Sequence, residues 1–138
     1  MPRTGSENVG FLLAKASQHF NELLVARFAA RGFGEVRASY GSVLVPLFER
    51  DGLRLTELAT AARLSKQAMT GLVKRCEADR LVVRERDPAD GRAFNVRLTE
   101  RGRALRAVAD DVLHELDRSL GTRNRDALIR ALKGVMEL

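Results

Sequence analysis

The sequence predicts a mainly helical chain with a small β component, an α+β fold, and three observations carry that reading. Apolar residues recur at three-and-four spacing through both terminal regions. Two capped helical segments joined by a tight turn stand in the middle of the chain. Two short apolar segments around a turn-forming hexapeptide follow directly. The 138 residues suit one domain, and a hydrophobic content of 45% is enough for a core. No apolar run approaches the roughly 20 residues of a membrane helix. The start, Met1-Pro2-Arg3-Thr4-Gly5-Ser6-Glu7, lacks the basic-then-apolar pattern of a signal peptide, so a cytoplasmic protein without membrane contact is expected.

From Val9 to Phe28 the apolar positions Val9, Leu12, Leu13, Ala16, Phe20, Leu23, Leu24 and Phe28 mark a long amphipathic helix. Arg31-Gly32-Phe33-Gly34 ends it, because glycine takes the left-handed conformation a helix C-terminus needs. Residues 37–50 form a second helical stretch, with a kink or break expected at Pro46, which removes one helical hydrogen bond. Leu53-Arg54-Leu55 is a short strand after an Asp51-Gly52 turn. Thr56 is expected to cap a short helix from Glu57 to Ala62, Arg63-Leu64 is the turn, and Ser65 caps a second helix from Lys66 to Asp79. Short helix, turn and capped helix together make a helix-turn-helix signal.

At about 100° per residue, with Met69 at the origin, Leu72, Val73 and Cys76 lie within about 60° and form a buried face. Gln67, Gly71 and Lys74 point roughly opposite, with Thr70 to one side at about 100°. The outward face of the first two turns carries amide, hydroxyl and ammonium donors around one small residue and no acid, which suits entry into an anionic groove. An ordinary solvated face has the same look.

Leu81–Arg86 and Ala93–Leu98 read as two strands, the second alternating at Phe94, Val96 and Leu98. Asp87-Pro88-Ala89-Asp90-Gly91-Arg92 between them is rich in turn formers. A hairpin placed directly after a helix-turn-helix makes a winged helix, and an arginine near its tip can reach a minor groove. Thr99 caps a helix from Glu100 to Leu120, striped by Leu105, Val108, Val112, Leu116 and Leu120. A last helix, Arg123 to Met136, is striped by Leu128, Ile129, Leu132, Val135 and Met136. These stripes exceed what a small winged module can cover, so an obligate homodimer with interlocking terminal helices is expected.

The chain holds 24 Lys+Arg against 18 Asp+Glu, a net charge of +6. Residues 54–106 contain 13 basic and 7 acidic side chains, so the whole excess lies there, and the remainder is neutral. A basic module on a neutral scaffold suggests a polyanion partner, most simply double-stranded DNA. The arginine richness itself can equally reflect genome composition. Cys76 is the single cysteine, and His19 and His114 stand far apart, so neither a disulfide nor a Cys/His metal site is expected. No glycine-rich phosphate loop and no hydrolase or metalloprotease motif is present, and neither an enzyme nor a cofactor is expected. The rival reading is a helical protein-interaction module that does not bind DNA. It explains the apolar seams but leaves the charge concentration without a role.

With these elements in place, the chain resembles MarR-family winged helix-turn-helix transcriptional regulators over nearly its whole length. The resemblance rests on Leu55-Thr56-Glu57-Leu58-Ala59, on Leu64-Ser65-Lys66-Gln67-Ala68-Met69-Thr70 with Leu72-Val73, and above all on Asp87-Pro88-Ala89-Asp90-Gly91-Arg92 running into Val96-Arg97-Leu98-Thr99-Glu100-Arg101-Gly102. It implies a homodimer that binds a pseudo-palindromic operator, and a small DNA-binding dimer with no activation domain is expected to repress by blocking a promoter. Residues 1–36 and 100–138 would be dimerisation segments and 37–99 the DNA-binding module. It further implies DNA contacts by Ser65, Lys66, Gln67, Thr70, Gly71, Lys74 and Arg75 of the recognition helix and by Asp90 and Arg92 of the wing, the aspartate orienting the arginine side chain. A phenolic or lipophilic effector would lie between the dimer helices and the winged module, near Phe11, Phe20, Tyr40 and Phe48. Gly71 and Gly91 stand where many family members have arginine, and Cys76 where a core leucine is more usual. No cysteine occupies the start of the first helix, where some members sense oxidants, and Cys76 is expected to be a structural thiol.

Overall fold

The computed structural model describes residues 3–138, and Met1 and Pro2, which open the expected N-terminal segment, lie outside the described residues. Helix α1 (Val9–Ala30) starts at Asn8, whose side chain accepts from the Phe11 amide at 2.8 Å. A 3-10 turn (Ala38–Tyr40) leads into α2 (Gly41–Glu49). Strand β1 (Leu53–Arg54), α3 (Leu55–Ala62), α4 (Lys66–Ala78), β2 (Val82–Arg86) and β3 (Phe94–Leu98) make the winged module, and α5 (Glu100–Leu120) and α6 (Thr122–Met136) follow. The predicted mainly helical fold with a small sheet is the fold observed.

Four local expectations need correction. The stretch 37–50 is not one helix broken at Pro46. The irregularity falls earlier, at the 3-10 turn, and α2 runs through Pro46. Pro46 withdraws only its own amide, while Val43, Leu44 and Leu47 hold the helix in the core. The helix after β1 begins at Leu55 and not at Glu57, so Thr56 does not cap it. Arg54 is already extended at the cap position, and the Glu57 carboxylate reaches back to accept from the Arg54 amide at 3.1 Å. Phe94 is not a core residue. It is 36% exposed while Val96 and Leu98 are buried. Along α5 the buried stripe is Leu105, Ala109, Val112 and Leu116, with Val108 only partly buried and Leu120 exposed.

The sheet has the order β1-β3-β2 and is antiparallel throughout. Arg84 pairs with Val96 across the hairpin, and Leu53 pairs with Val96 on the other side. The core lies between this sheet and helices α2, α3 and α4, around Leu47, Leu58, Met69, Val73, Cys76, Leu81 and Leu105. Gly102 lets α5 start against the hairpin, because a Cβ there would stand 2.2 Å from the Leu81 carbonyl oxygen. By contrast α1 and α6 bury no residue, and Phe11, Leu12, Leu128, Leu132 and Val135 are exposed.

Candidate nucleic-acid interface

The recognition helix owes its start to Ser65, whose hydroxyl oxygen accepts from the Ala68 amide at 3.0 Å. A cap of this kind contributes about 1 kcal/mol. Before it, Arg63 takes the left-handed conformation (φ 56°), and the Leu64 amide donates to the Ala59 carbonyl, so the chain reverses within two residues. Met69, Leu72, Val73 and Cys76 are buried, which fixes the roll of α4. Lys66, Gln67, Thr70, Gly71 and Lys74 then line one shallow groove on the outer face. Nothing lies within 4 Å of a Cβ placed at Gly71, so the groove is open at its centre. Arg75 is exposed on the same helix.

The hydroxyls on this face are partly engaged. Thr70 donates to the Lys66 carbonyl at 2.8 Å, which leaves an acceptor oxygen and a methyl for a partner. Gln67 and Lys74 are exposed. The acid nearest them in sequence, Glu77, is tied to the hairpin: its carboxylate accepts from both the Arg84 amide and the Arg84 guanidinium at 3.2 Å.

The wing tip is built from aspartates. Asp87 is the one buried charged residue among those described. One carboxylate oxygen accepts from the Ala89 amide at 2.8 Å, and the other meets the Arg54 guanidinium at 2.8 Å. The Ala89 amide, and after it Arg54, hold the Asp87 carboxyl below the usual carboxylate range. The Asp90 carboxylate accepts from the Arg92 backbone amide at 3.0 Å, and Arg86 donates to the Gly91 carbonyl at 2.7 Å. Arg54, Lys66, Asp90 and Arg92 converge on one cleft between the wing and the helix starts. Phe94 joins them there, its ring flanked by the Arg84 and Arg86 guanidinia at 5.7 and 5.6 Å.

A sequence model of the MarR family matches residues 47–93, which hold α3, α4, β2 and most of the wing. The chain is 38% identical over 72 residues to the HTH-type transcriptional regulator TtmR of Methylorubrum extorquens, a match spanning 52% of this chain and 37% of that protein. The structure superposes on the transcriptional repressor CouR bound to a 23-mer DNA duplex with a TM-score of 0.79, at 28% identity and covering 99% of this chain and 98% of that one. It likewise matches BpsR of Bordetella bronchiseptica, whose DNA binding is regulated by 6-hydroxynicotinic acid, with a TM-score of 0.77, 25% identity, and coverage of 100% and 99%.

Over residues 47–93 the chain is similar to the MarR family, and its fold is the MarR winged-helix fold. Members of the MarR family are transcriptional regulators and not enzymes. Two features of this chain differ from what the resemblance implies or lie outside any local residue pattern. Asp90 acts on the Arg92 backbone amide and not on its guanidinium, so it shapes the turn and leaves the side chain free to aim outward. Arg54, Asp87 and Glu77 lock the wing to the rest of the module. Asp87 could have been found from its place at the start of a turn, where a short carboxylate accepts from amides two residues on, whereas its partner Arg54 is distant in sequence.

The aromatic candidates do not gather into one cavity. Tyr40 is buried and its hydroxyl donates to Asp79, Phe48 packs against the core, and Phe11 and Phe20 are exposed on α1. A separate cavity of about 460 Å³ lies among Val25, Glu35, Val36, Arg37 and Asp79. Burial first, then the bond to Asp79, pushes the Tyr40 hydroxyl up to about 12. Burial likewise pushes the Cys76 thiol up to about 12. Among the described residues no His, Cys, Asp and Glu cluster is placed to hold a metal, and no helix is long and apolar enough to cross a membrane.

Proposed function

We propose that this chain is a cytoplasmic, sequence-specific regulator of transcription of the MarR family that binds double-stranded DNA as a homodimer on a pseudo-palindromic operator. The observation that carries this reading is the continuity of one basic surface. The acid-free groove of Lys66, Gln67, Thr70, Gly71 and Lys74 adjoins the cleft that holds Arg54 and Arg92. An α-helix fills a major groove, and an arginine on a hairpin suits the neighbouring minor groove. Ser65 and Arg75 flank the helix contacts, and Asp90 shapes the wing.

Residues 37–99 form the DNA-binding module, and residues 1–36 and 100–138 join the two protomers. The support for the second part is that α1 and α6 bury nothing within one chain while presenting Phe11, Leu12, Leu128, Leu132 and Val135. Repression follows from occupancy, since a small dimer on a promoter blocks polymerase sterically. A small effector releases the DNA. Its seat is the cavity by Arg37 and Asp79, where Tyr40 donates to Asp79, and the dimer helices bring Phe11 and Phe20 to its surroundings while Phe48 stands in the core behind. The regulation of BpsR by 6-hydroxynicotinic acid supports an effector of the aromatic-acid kind, for which Arg37 supplies a cation while the Glu35 and Asp79 carboxylates of the same cavity are engaged by Arg101 and Tyr40.

The test is a titration of a duplex selected by the protein from a random pool, followed across a salt series, with sedimentation of the free protein alongside. The reading expects about twice the 15.3 kDa chain mass and an affinity that falls steeply with salt. A protein that selects no duplex is the interaction module instead.

A further inference from the structure

The cleft between the wing and the helix starts joins three elements that the sequence keeps apart. Arg54 and Thr56 come from the junction of β1 and α3, Lys66 from the first turn of α4, and Asp90, Arg92 and Phe94 from the hairpin. Its volume is about 300 Å³, the small end of the range for ligand sites. Three cations and a hydroxyl surround one carboxylate. That carboxylate, Asp90, accepts from the Arg92 amide. Arg54 spends one nitrogen on Asp87 and keeps further N–H donors in its fork. The neighbouring ion pairs, Arg50 with Glu57 and Arg84 with Glu77, leave Lys66 and Arg92 out. Phe94, with the Arg84 and Arg86 guanidinia near its ring, forms one wall.

A duplex offers one feature that must cross this place. If α4 lies in the major groove and Arg92 enters the minor groove, the sugar-phosphate ridge that separates the two grooves runs between them. Donors arriving from three directions suit the tetrahedral oxygens of a phosphodiester better than a planar base edge, which mixes donors with acceptors. We propose that this cleft seats a backbone phosphate of the ridge, with Arg54, Thr56 and Lys66 as its donors and Arg92 passing beside it into the minor groove. The inference rests on the duplex-binding reading and adds two contact residues, Arg54 and Thr56, that the recognition helix and wing tip do not contain. It also takes Lys66 out of base readout. The seat sets the register of helix against wing, so that both grooves are read from one fixed point.

The experiment uses the full-length protein and the selected duplex, with each backbone phosphate replaced in turn by an uncharged methylphosphonate. The proteins are wild type, Lys66→Gln and Thr56→Val, whose exposed side chains leave the core untouched, and thermal melts confirm their folding. One phosphate per half-site, between the helix footprint and the wing footprint, should cost wild type about tenfold in affinity when neutralised, the size of one charge-assisted hydrogen bond. The same replacement should cost Lys66→Gln clearly less than wild type, the remainder being what Arg54 and Thr56 still supply. The salt slope of Lys66→Gln should fall by about one per phosphate engaged. Thr56→Val should weaken binding without changing base preference. Losses that simply add at every phosphate, or a Lys66→Gln protein with the wild-type salt slope, would overturn the phosphate seat while leaving duplex binding intact. Failure of wild type to bind any duplex would remove both readings.

Discussion

The Arg54 guanidinium and the Asp87 carboxylate meet at 2.8 Å, joining the residue before α3 to the first residue of the wing loop. The hairpin is therefore a braced arm. Glu77 holds its base through Arg84, Asp87 holds its bend through Arg54, and Asp90 closes its tip through the Arg92 amide. Asp87→Asn keeps an acceptor for the Ala89 amide but loses the ion pair. Its wing amides from Ala89 to Arg92 should exchange hydrogen faster, and DNA affinity should fall several-fold with little change in melting temperature.

The same pair sets an acid limit. The Asp87 carboxyl lies below its ordinary value of 3.8 in the folded chain. A lowered carboxyl contributes stability that is present above that value and lost as pH falls through the folded one. Wild-type wing protection should thus be flat from neutral pH to about pH 5 and decline in stronger acid. In Asp87→Asn this acid decline should shrink. Amide exchange of Ala89 measured down that pH range checks it.

At the alkaline end the groups are Cys76 and Tyr40. Both are raised to about 12, from ordinary values of 9.0 and 10.0. The unfolded chain ionises first, so their contribution is complete below about pH 9 and is lost as pH rises toward the folded values. Urea midpoints should fall across that window, and less steeply in Tyr40→Phe. At neutral pH the Cys76 thiol should react with a disulfide reagent only as fast as the protein opens. Rapid reaction in the native state would contradict its role as a structural thiol.

Two glycines make opposite predictions. Gly102→Ala forces a Cβ to within 2.2 Å of the Leu81 carbonyl oxygen, and since the backbone fixes the position of both atoms, overpacking should cost on the order of 1–3 kcal/mol or more. Gly71→Ala meets nothing within 4 Å and lies inside a helix, so it should stabilise the chain by about 0.5–1 kcal/mol. Its effect on DNA affinity is a separate reading of how closely the groove fits a base edge. Thermal melts of the two variants separate the cases.

The helix pattern and the hairpin were legible in the sequence because each is local. Ser65 caps α4 as its residue type demands, and the buried positions Met69, Leu72, Val73 and Cys76 follow from helical spacing alone. What was not legible was long-range. Arg54 and Asp87 are 33 residues apart and meet only because β1 pairs with β3. That pairing also extends Arg54 and moves the helix start to Leu55, away from the cap that Thr56 seemed to offer. Pro46 misled because its cost is one amide, and the core contacts of Val43, Leu44 and Leu47 outweigh it. Asp90 serves the Arg92 amide and not its side chain, a distinction no residue pattern encodes.

In the proposed complex α4 reads one groove and the wing the other. The most direct measurement compares wild type, Gln67→Ala and Arg92→Ala on a set of duplexes that each change one base pair of the selected site. Gln67→Ala should lose its preference at one position per half-site, by about 1–3 kcal/mol, and bind the remaining substitutions in the wild-type order. Arg92→Ala should weaken every duplex, most where the flanking minor groove is narrow and A·T-rich, since readout there is degenerate. Arg92→Ala binding as wild type, together with Gln67→Ala weakening all sequences equally, would contradict the assignment.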